Sequence, residues 1–272
     1  MTLLSGPSDL IQASSGFPGL QAAIPGGYPG VSRVQLRGFL GALTTSYRTV
    51  WSIGSGTYAQ ITSAVAMEVV SNSANDTAAG TGARTVVVQY LDANYAVVNE
   101  TVTLNGTTPV ALSSTAISVN SAYVATAGSG LKNAGAIDVR TVSGSTQKLR
   151  ITTAVGAGLS KGNDFIYTIP ANYVGILKSI YFSGATITGD LTVSLQSTTS
   201  AGIQSVEAIG KTSLSNTGFN PAVGSIELGA GLYLAEKTNI ELEAIVTAGV
   251  GSLVATAELY LLKKGTCPWV AA

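Results

Sequence analysis

The sequence predicts an all-β protein: two antiparallel β-sandwich domains, jelly-roll-like, preceded by an extended N-terminal arm. Three observations predict it. Short runs of alternating apolar and polar residues recur along the chain, separated by Gly, Asn, Asp or Ser clusters at about the 8–12-residue spacing of sandwich strands. No long segment carries the 3.6-residue period of an amphipathic helix. Glycine supplies 32 of the 272 residues, and many stand where turns need them.

Residues 1–32 form the arm. Gly6-Pro7, Phe17-Pro18-Gly19, Pro25-Gly26-Gly27 and Tyr28-Pro29-Gly30 punctuate it, and Pro and Gly at this density favour neither helix nor strand. Leu10, Ile11, Phe17, Leu20, Ile24 and Tyr28 are interleaved with them, which a simple linker would lack. Phe17, Leu20, Ile24 and Tyr28 are therefore candidate interface residues. The competing reading is a disordered leader.

The first sandwich is expected over residues 33–157. Val34–Phe39 alternates as a half-buried strand does, and Tyr47–Ile53 resembles it and carries Trp51, a core residue whose indole N–H needs a partner. Tyr58–Ile61 and Ala64–Val70 follow. The centre of this half is Val69–Leu112. It reads as a strand ending near Ser71, a small-residue loop, a strand from Arg84 to Leu91, a turn at Asp92-Ala93-Asn94, and a strand over Val97–Leu104. Asn105-Gly106 then signals a type I′ hairpin. Further strands are expected near Val110–Leu112, Ala116–Val119, Tyr123–Thr126, Ala136–Val142 and Lys148–Thr152. Val65–Val69 and Ser8–Ala13 are the only helix candidates.

Within Val97–Leu104, Val98, Val102 and Leu104 share a face with Glu100. A carboxylate on an apolar face needs a partner, and Arg84 opens the preceding strand. The sequence thus predicts an Arg84–Glu100 ion pair, with Arg140 as a third member. Catalysis by Glu100 would need a second carboxylate across a cleft, and no spacing supplies one. Asp76, Asp92 and Asn94 offer oxygen ligands for Ca²⁺, but Asx-turns explain them more simply.

Gly156–Asn163 reads as a boundary, and the second sandwich is expected over residues 163–262. Phe165–Ile169 ends at Pro170. Val174–Phe182, Leu191–Gln196, Val206–Lys211, Ser225–Leu228, Leu232–Leu234, Ile240–Thr247 and Leu253–Leu262 follow. Glu241 and Glu243 share one strand face; two such carboxylates can serve as general acid and base, but the face reads more simply as solvated. Residues 263–272 form a tail in which Trp269 is a candidate anchor into a neighbour. Cys267 reads as a small apolar residue.

Composition excludes much chemistry. The chain has no histidine and one cysteine. Ser-His-Asp and Cys-His catalysis, His-based zinc sites and an intrachain disulfide are therefore excluded. Fourteen basic and 14 acidic side chains cancel, which argues against nucleic acid or an anionic membrane as partner. Only 10% of residues are charged, against about 25% in average domains. A surface so poor in charge risks association, which suits a chain covered by partners in a shell or fibre. No signal peptide or membrane span is read, and no cofactor is expected.

The central stretch resembles a pattern found in structural proteins of tailed bacteriophages, especially those of aquatic hosts. Its carriers are Trp51, Val69–Ser73, Asn75–Val86 with the string DTAAGTGART, Leu91–Tyr95, Glu100–Gly106 and Gly135-Ala136-Ile137. Tyr167–Ala171 resembles an element at the start of such proteins' second domain, with Asn172 standing where glycine is expected. The likeness covers residues 31–175. It implies a virion component made in the host cytoplasm, without enzymatic activity, whose partners are copies of itself and other virion proteins. Head decoration or minor capsid protein is the first expectation. A tail, neck or fibre component is the second, including a carbohydrate-binding adhesin using Tyr28, Tyr58, Tyr95 and Tyr233.

Overall fold

The fold is that of a computed structural model, whose described residues are 29–153, 156, 160–162, 164–185, 190–199, 204–207, 211–212 and 222–267. The strands, in chain order, are β1 (Val31–Leu43), β2 (Arg48–Thr49), β3 (Met67–Ser71), β4 (Ala83–Leu91), β5 (Val97–Thr103), β6 (Val110–Ala111), β7 (Ser118–Ala127), β8 (Ile137–Thr141) and β9 (Gln147–Ile151). They continue with β10 (Ile166–Thr168), β11 (Tyr173–Ala185), β12 (Leu191–Thr198), β13 (Gln204–Glu207), β14 (Lys211–Thr212), β15 (Ala222–Leu234), β16 (Asn239–Val246) and β17 (Gly251–Lys263). No helix occurs among the described residues, and so none there is long and apolar enough to cross a membrane. The ladders between these strands are antiparallel. The all-β expectation holds at that level.

Four sheets line two large cores. The orders β6-β3-β8-β9 and β5-β4-β7 enclose the first, built on Met67, Val69, Val86, Val88, Tyr90, Val102, Val119, Val124, Ile137, Val139 and Ile151. The orders β1-β17-β11-β15 and β10-β16-β12-β13, the latter joined by β2 and β14, enclose the second. Leu36 and Leu40 of β1, Leu177 and Ile180 of β11, Leu242 of β16 and Leu259 of β17 are among its members. Residues alternate along β17, with Leu253, Ala255, Ala257, Leu259 and Leu261 facing this core. That is the period-2 pattern read in the sequence.

The division of the chain differs from the expected one. The sequence places residues 33–49 in the first sandwich. Instead β1 pairs with the last strand, from Val31↔Leu262 to Leu43↔Gly251, and β2 pairs with β16. The first core is built from residues within 67–151, and the second takes strands from both ends of the chain. Consecutive strands are neighbours only about two-thirds of the time, and nothing local in Val34–Phe39 marks it as the exception. Gly38 lets β1 approach closely, since a Cβ there would overlap the Val50 carbonyl and the Phe165 side chain.

Three local expectations are corrected. Val65–Val69 is not helical, because most of it falls in β3 and its approach. Tyr58–Ile61 forms no strand. Asn105-Gly106 is no two-residue hairpin: only Gly106 has positive φ, at 61°, whereas a type I′ turn needs two such residues. The Gly106 N–H instead donates to the Asp76 carbonyl (2.8 Å), and its carbonyl accepts from Ser71 N–H (3.1 Å). The β4–β5 hairpin does close where expected, with Asp92 Oδ1 accepting from Asn94 N–H (2.8 Å) and Ala96 N–H (2.9 Å). That Asx arrangement is what the residue types favour.

Asn172 has φ 64°. It occupies a left-handed position, which Asn tolerates better than most side chains. At the end of β17, Cys267 is buried with Val31, Ile176, Tyr260 and Leu262, the small apolar role expected of it. Phe17, Leu20, Ile24, Tyr28 and Trp269, and the helix candidate Ser8–Ala13, lie outside the described residues.

Candidate functional site

Three of the stretches named above, around Ser71, Asp76–Ala83 and Gly135, meet at one buried carboxylate. Asp76 is fully buried. Its Oδ1 accepts from the Ala83 N–H (2.7 Å) and the Ala134 N–H (2.8 Å). Its Oδ2 accepts from the Ser71 hydroxyl (2.6 Å) and the Gly135 N–H (2.9 Å). Nearby, Asn72 Oδ1 accepts from Ala136 N–H (2.9 Å). The glycines of the motif permit this packing: a Cβ on Gly82 would overlap Asp76 Oδ1, and one on Gly135 would overlap Asn72 Oδ1. With four donors on its two oxygens, Asp76 has little left to offer a cation, so its arrangement is that of a structural tie. No group of three or more acidic or sulfur ligands placed to hold a metal occurs among the described residues.

The predicted Arg84–Glu100 pair does not form. Glu100 does lie on the partly buried face, as its alternation requires. Its carboxylate accepts from the Tyr90 hydroxyl (2.9 Å), the Ser113 N–H (3.0 Å) and the Ser113 hydroxyl (2.8 Å). Register explains the difference. Glu100 stands opposite Val88, four residues along β4 from Arg84, about 13 Å at strand rise. The Arg84 Nε donates to the Gly80 carbonyl (3.2 Å), and Arg140 pairs with Glu68 at 2.6 Å.

The second correction concerns Glu241 and Glu243. Their face of β16 is not solvated: they are 5% and 8% exposed. Beside it, Trp51 and Tyr58 of the segment after β2 form one apolar cluster with Ile166 of β10, the two rings meeting edge to face at 5.7 Å. Glu241 accepts from the Thr49 hydroxyl (3.1 Å), and Glu243 from the Gln196 amide (2.9 Å). Burial, and then the Glu243 charge, push the Glu241 carboxyl up to about 7. Burial also raises Glu243. Asp164, partly buried nearby, is pushed up to about 6 by desolvation, which outweighs its bonds from the Ser52 and Arg150 N–H groups. Trp51 Nε1 has no hydrogen-bond partner among the described residues. The place of Trp51 in a core was legible.

Between the two cores runs a polar seam. The Asn120 side-chain amide donates to the Thr168 carbonyl (2.9 Å), and its oxygen accepts from the Thr168 N–H (3.0 Å). Asn120 thereby substitutes for a strand neighbour. The Thr168 hydroxyl lies 2.7 Å from Ser118 Oγ and 2.8 Å from Asn239 Oδ1. Beside the seam a cleft of about 290 Å³ opens, lined by residues of both halves, including Tyr58, Gln60, Thr62, Tyr95, Thr198, Lys237 and Asn239. Of the four tyrosines expected at a sugar site, the fold puts Tyr58 and Tyr95 on this cleft. Tyr233 does not line it, and Tyr28 is not among the described residues.

The rim of the cleft is strained. Tyr95 (φ 63°) and Lys237 (φ 64°) are both left-handed without being glycine, at about 1–2 kcal/mol each. They meet across the junction, the Lys237 ammonium lying 5.5 Å from the Tyr95 ring centroid. Backbone bonds hold both: Ala171 N–H donates to the Tyr95 carbonyl (2.9 Å), and Lys237 N–H to the Ile169 carbonyl (2.8 Å). Glu241, Glu243 and Asp164 do not line this cleft.

No family model matches the chain, and no curated protein matches it. Among solved structures, it is similar to that of the Gt strain of infectious bursal disease virus, at 12% identity over 91% of this chain and 78% of that one, with a TM-score of 0.24. The VP2 subviral particle of the same virus gives 12% identity, 90% and 82% coverage and a TM-score of 0.16. Isomalto-dextranase of Arthrobacter globiformis T6, complexed with panose, gives 15% identity, 90% and 38% coverage and a TM-score of 0.19. Likenesses this slight carry no argument about fold or function.

Proposed function

We propose that this chain is a structural component of a tailed-bacteriophage virion, a head decoration or minor capsid protein that assembles with copies of itself and with other virion proteins. In this reading it is made in the host cytoplasm, carries no catalytic activity and binds neither nucleic acid nor membrane. Each pair of sheets is read as one sandwich block. The observation that carries the proposal is the motif around Asp76. Three of the stretches that resemble the phage proteins, around Ser71, Asp76–Ala83 and Gly135, are tied together by one carboxylate, which supports reading them as one fold-determining pattern. The charge-poor, histidine-free composition supports holding by contact over holding by reaction. Strands such as β5 and β15 stand at sheet edges, where an extended segment of a neighbour can add main-chain hydrogen bonds. Phe17, Leu20, Ile24, Tyr28 and Trp269 are the proposed apolar anchors.

A second reading, a tail, neck or fibre component acting as a carbohydrate-binding adhesin, is favoured by one observation: Tyr58 and Tyr95 share a polar cleft. The test is mass spectrometry and cryo-electron microscopy of purified virions encoding this chain. The proposal expects many symmetry-related copies on the head. Copies confined to the tail or its fibres favour the second reading, and absence from the virion overturns both.

A further inference from the structure

We propose that the junction cleft binds a neutral sugar unit, with Tyr95 as the ring on which the sugar stacks. This deepens the adhesin reading and does not depend on where in a particle the chain sits.

The lining is the first argument. Of the cleft's residues only Lys237 carries a charge, and the others that bear polar groups offer hydroxyls or amides: Gln60, Thr62, Thr198 and Asn239 among them. Hydroxyls and amides donate and accept together, which matches a ligand whose own groups are hydroxyls. A strongly anionic ligand would find one cation, and an apolar one would strand the polar groups. The Asn239 oxygen is engaged by Thr168 and the Gln60 nitrogen by Thr198. Those bonds fix both amides and orient their remaining atoms.

The rim is the second argument. Strained backbone at two touching residues persists only where surrounding structure enforces it, and such strain gathers at ligand clamps. Here the left-handed Tyr95 and Lys237 come from different halves of the molecule and meet at the cleft they both line. The ammonium lies over one face of the tyrosine ring, so the proposed stacking uses the other, and an aromatic ring beside orienting polar groups is the usual make-up of a small-molecule site. Its place between two cores is also a usual one.

The test is an array of neutral and acidic glycans probed with the full chain, followed by saturation-transfer NMR on any hit. The proposal expects signal from neutral glycans, weakened about tenfold or more by Tyr95→Ala and retained by Tyr95→Phe, which keeps the ring. Because Tyr95→Ala could disturb the hairpin, Thr62→Trp provides a second variant: Thr62 is exposed at the rim, and the larger side chain should block binding while thermal unfolding stays unchanged. An array without signal, signal from acidic glycans alone, or binding unaltered in both Tyr95→Ala and Thr62→Trp overturns it. A chain abundant on phage heads but silent on the array fails this inference alone, and a glycan binder absent from virions fails the structural reading alone.

Discussion

Two buried acidic sites divide the molecule instructively. In the first core Asp76 is enclosed by four protein donors. In the second, Glu241 and Glu243 lie on one strand face beside Trp51 and Tyr58, each given a neutral side-chain donor. Asp76 accepts hydrogen bonds that hold three segments together. At Glu241 and Glu243 burial outweighs the hydrogen bonds and drives those carboxyls toward the protonated form. A buried acid therefore stabilises or destabilises according to its donors, not its depth.

The largest expected effect breaks the first site. Asp76→Ala leaves the N–H groups of Ala83, Ala134 and Gly135 without their acceptor, and should cost about 3–5 kcal/mol, read as a lowered urea midpoint. Next, Glu241→Gln keeps the shape of the second site and removes its charge penalty. It should raise stability at pH 8 by about 1–3 kcal/mol, the opposite sign. Smaller still is the Glu100 site. A double-mutant cycle should give about 1 kcal/mol of coupling between Glu100 and Tyr90. The same cycle between Glu100 and Arg84 should give less than about 0.3 kcal/mol. The smallest effect is Asn172→Gly, which should gain a few tenths of a kcal/mol by relieving the left-handed backbone, measured by thermal unfolding.

The contrast also explains what the sequence could show. Strands such as β4, β5 and β17 were legible because alternation is local. Asp92 was legible as a turn residue for the same reason. The cover over Glu241 was not, because it comes from Thr49 and the segment after it, 192 residues away. Ile240-Glu241-Leu242-Glu243-Ala244 reads as a half-solvated strand unless that cover is known. The β1–β17 ladder was hidden likewise, since it joins the two ends of the described chain. At the junction, Tyr58 and Tyr95 are legible only as two of four tyrosines near turns, far apart in sequence. Their meeting on a single cleft depends on Asn120 and Thr168, which no spacing rule links. The glycines around Asp76 were visible as a string, and only contacts reveal that Gly82 and Gly135 exist to admit a carboxylate and an amide.

The most direct test is stability against pH. Folding raises Glu241 from 4.5 to about 7 and Asp164 from 3.8 to about 6, so between these values the folded chain binds more protons than the unfolded one. Stability should therefore fall as pH rises through that window and be recovered on acidification. Urea unfolding of the wild type should show a higher midpoint at pH 5 than at pH 8, and Glu241→Gln should remove most of the difference. A wild-type midpoint that is lower at pH 5, or a difference untouched by Glu241→Gln, would contradict the account.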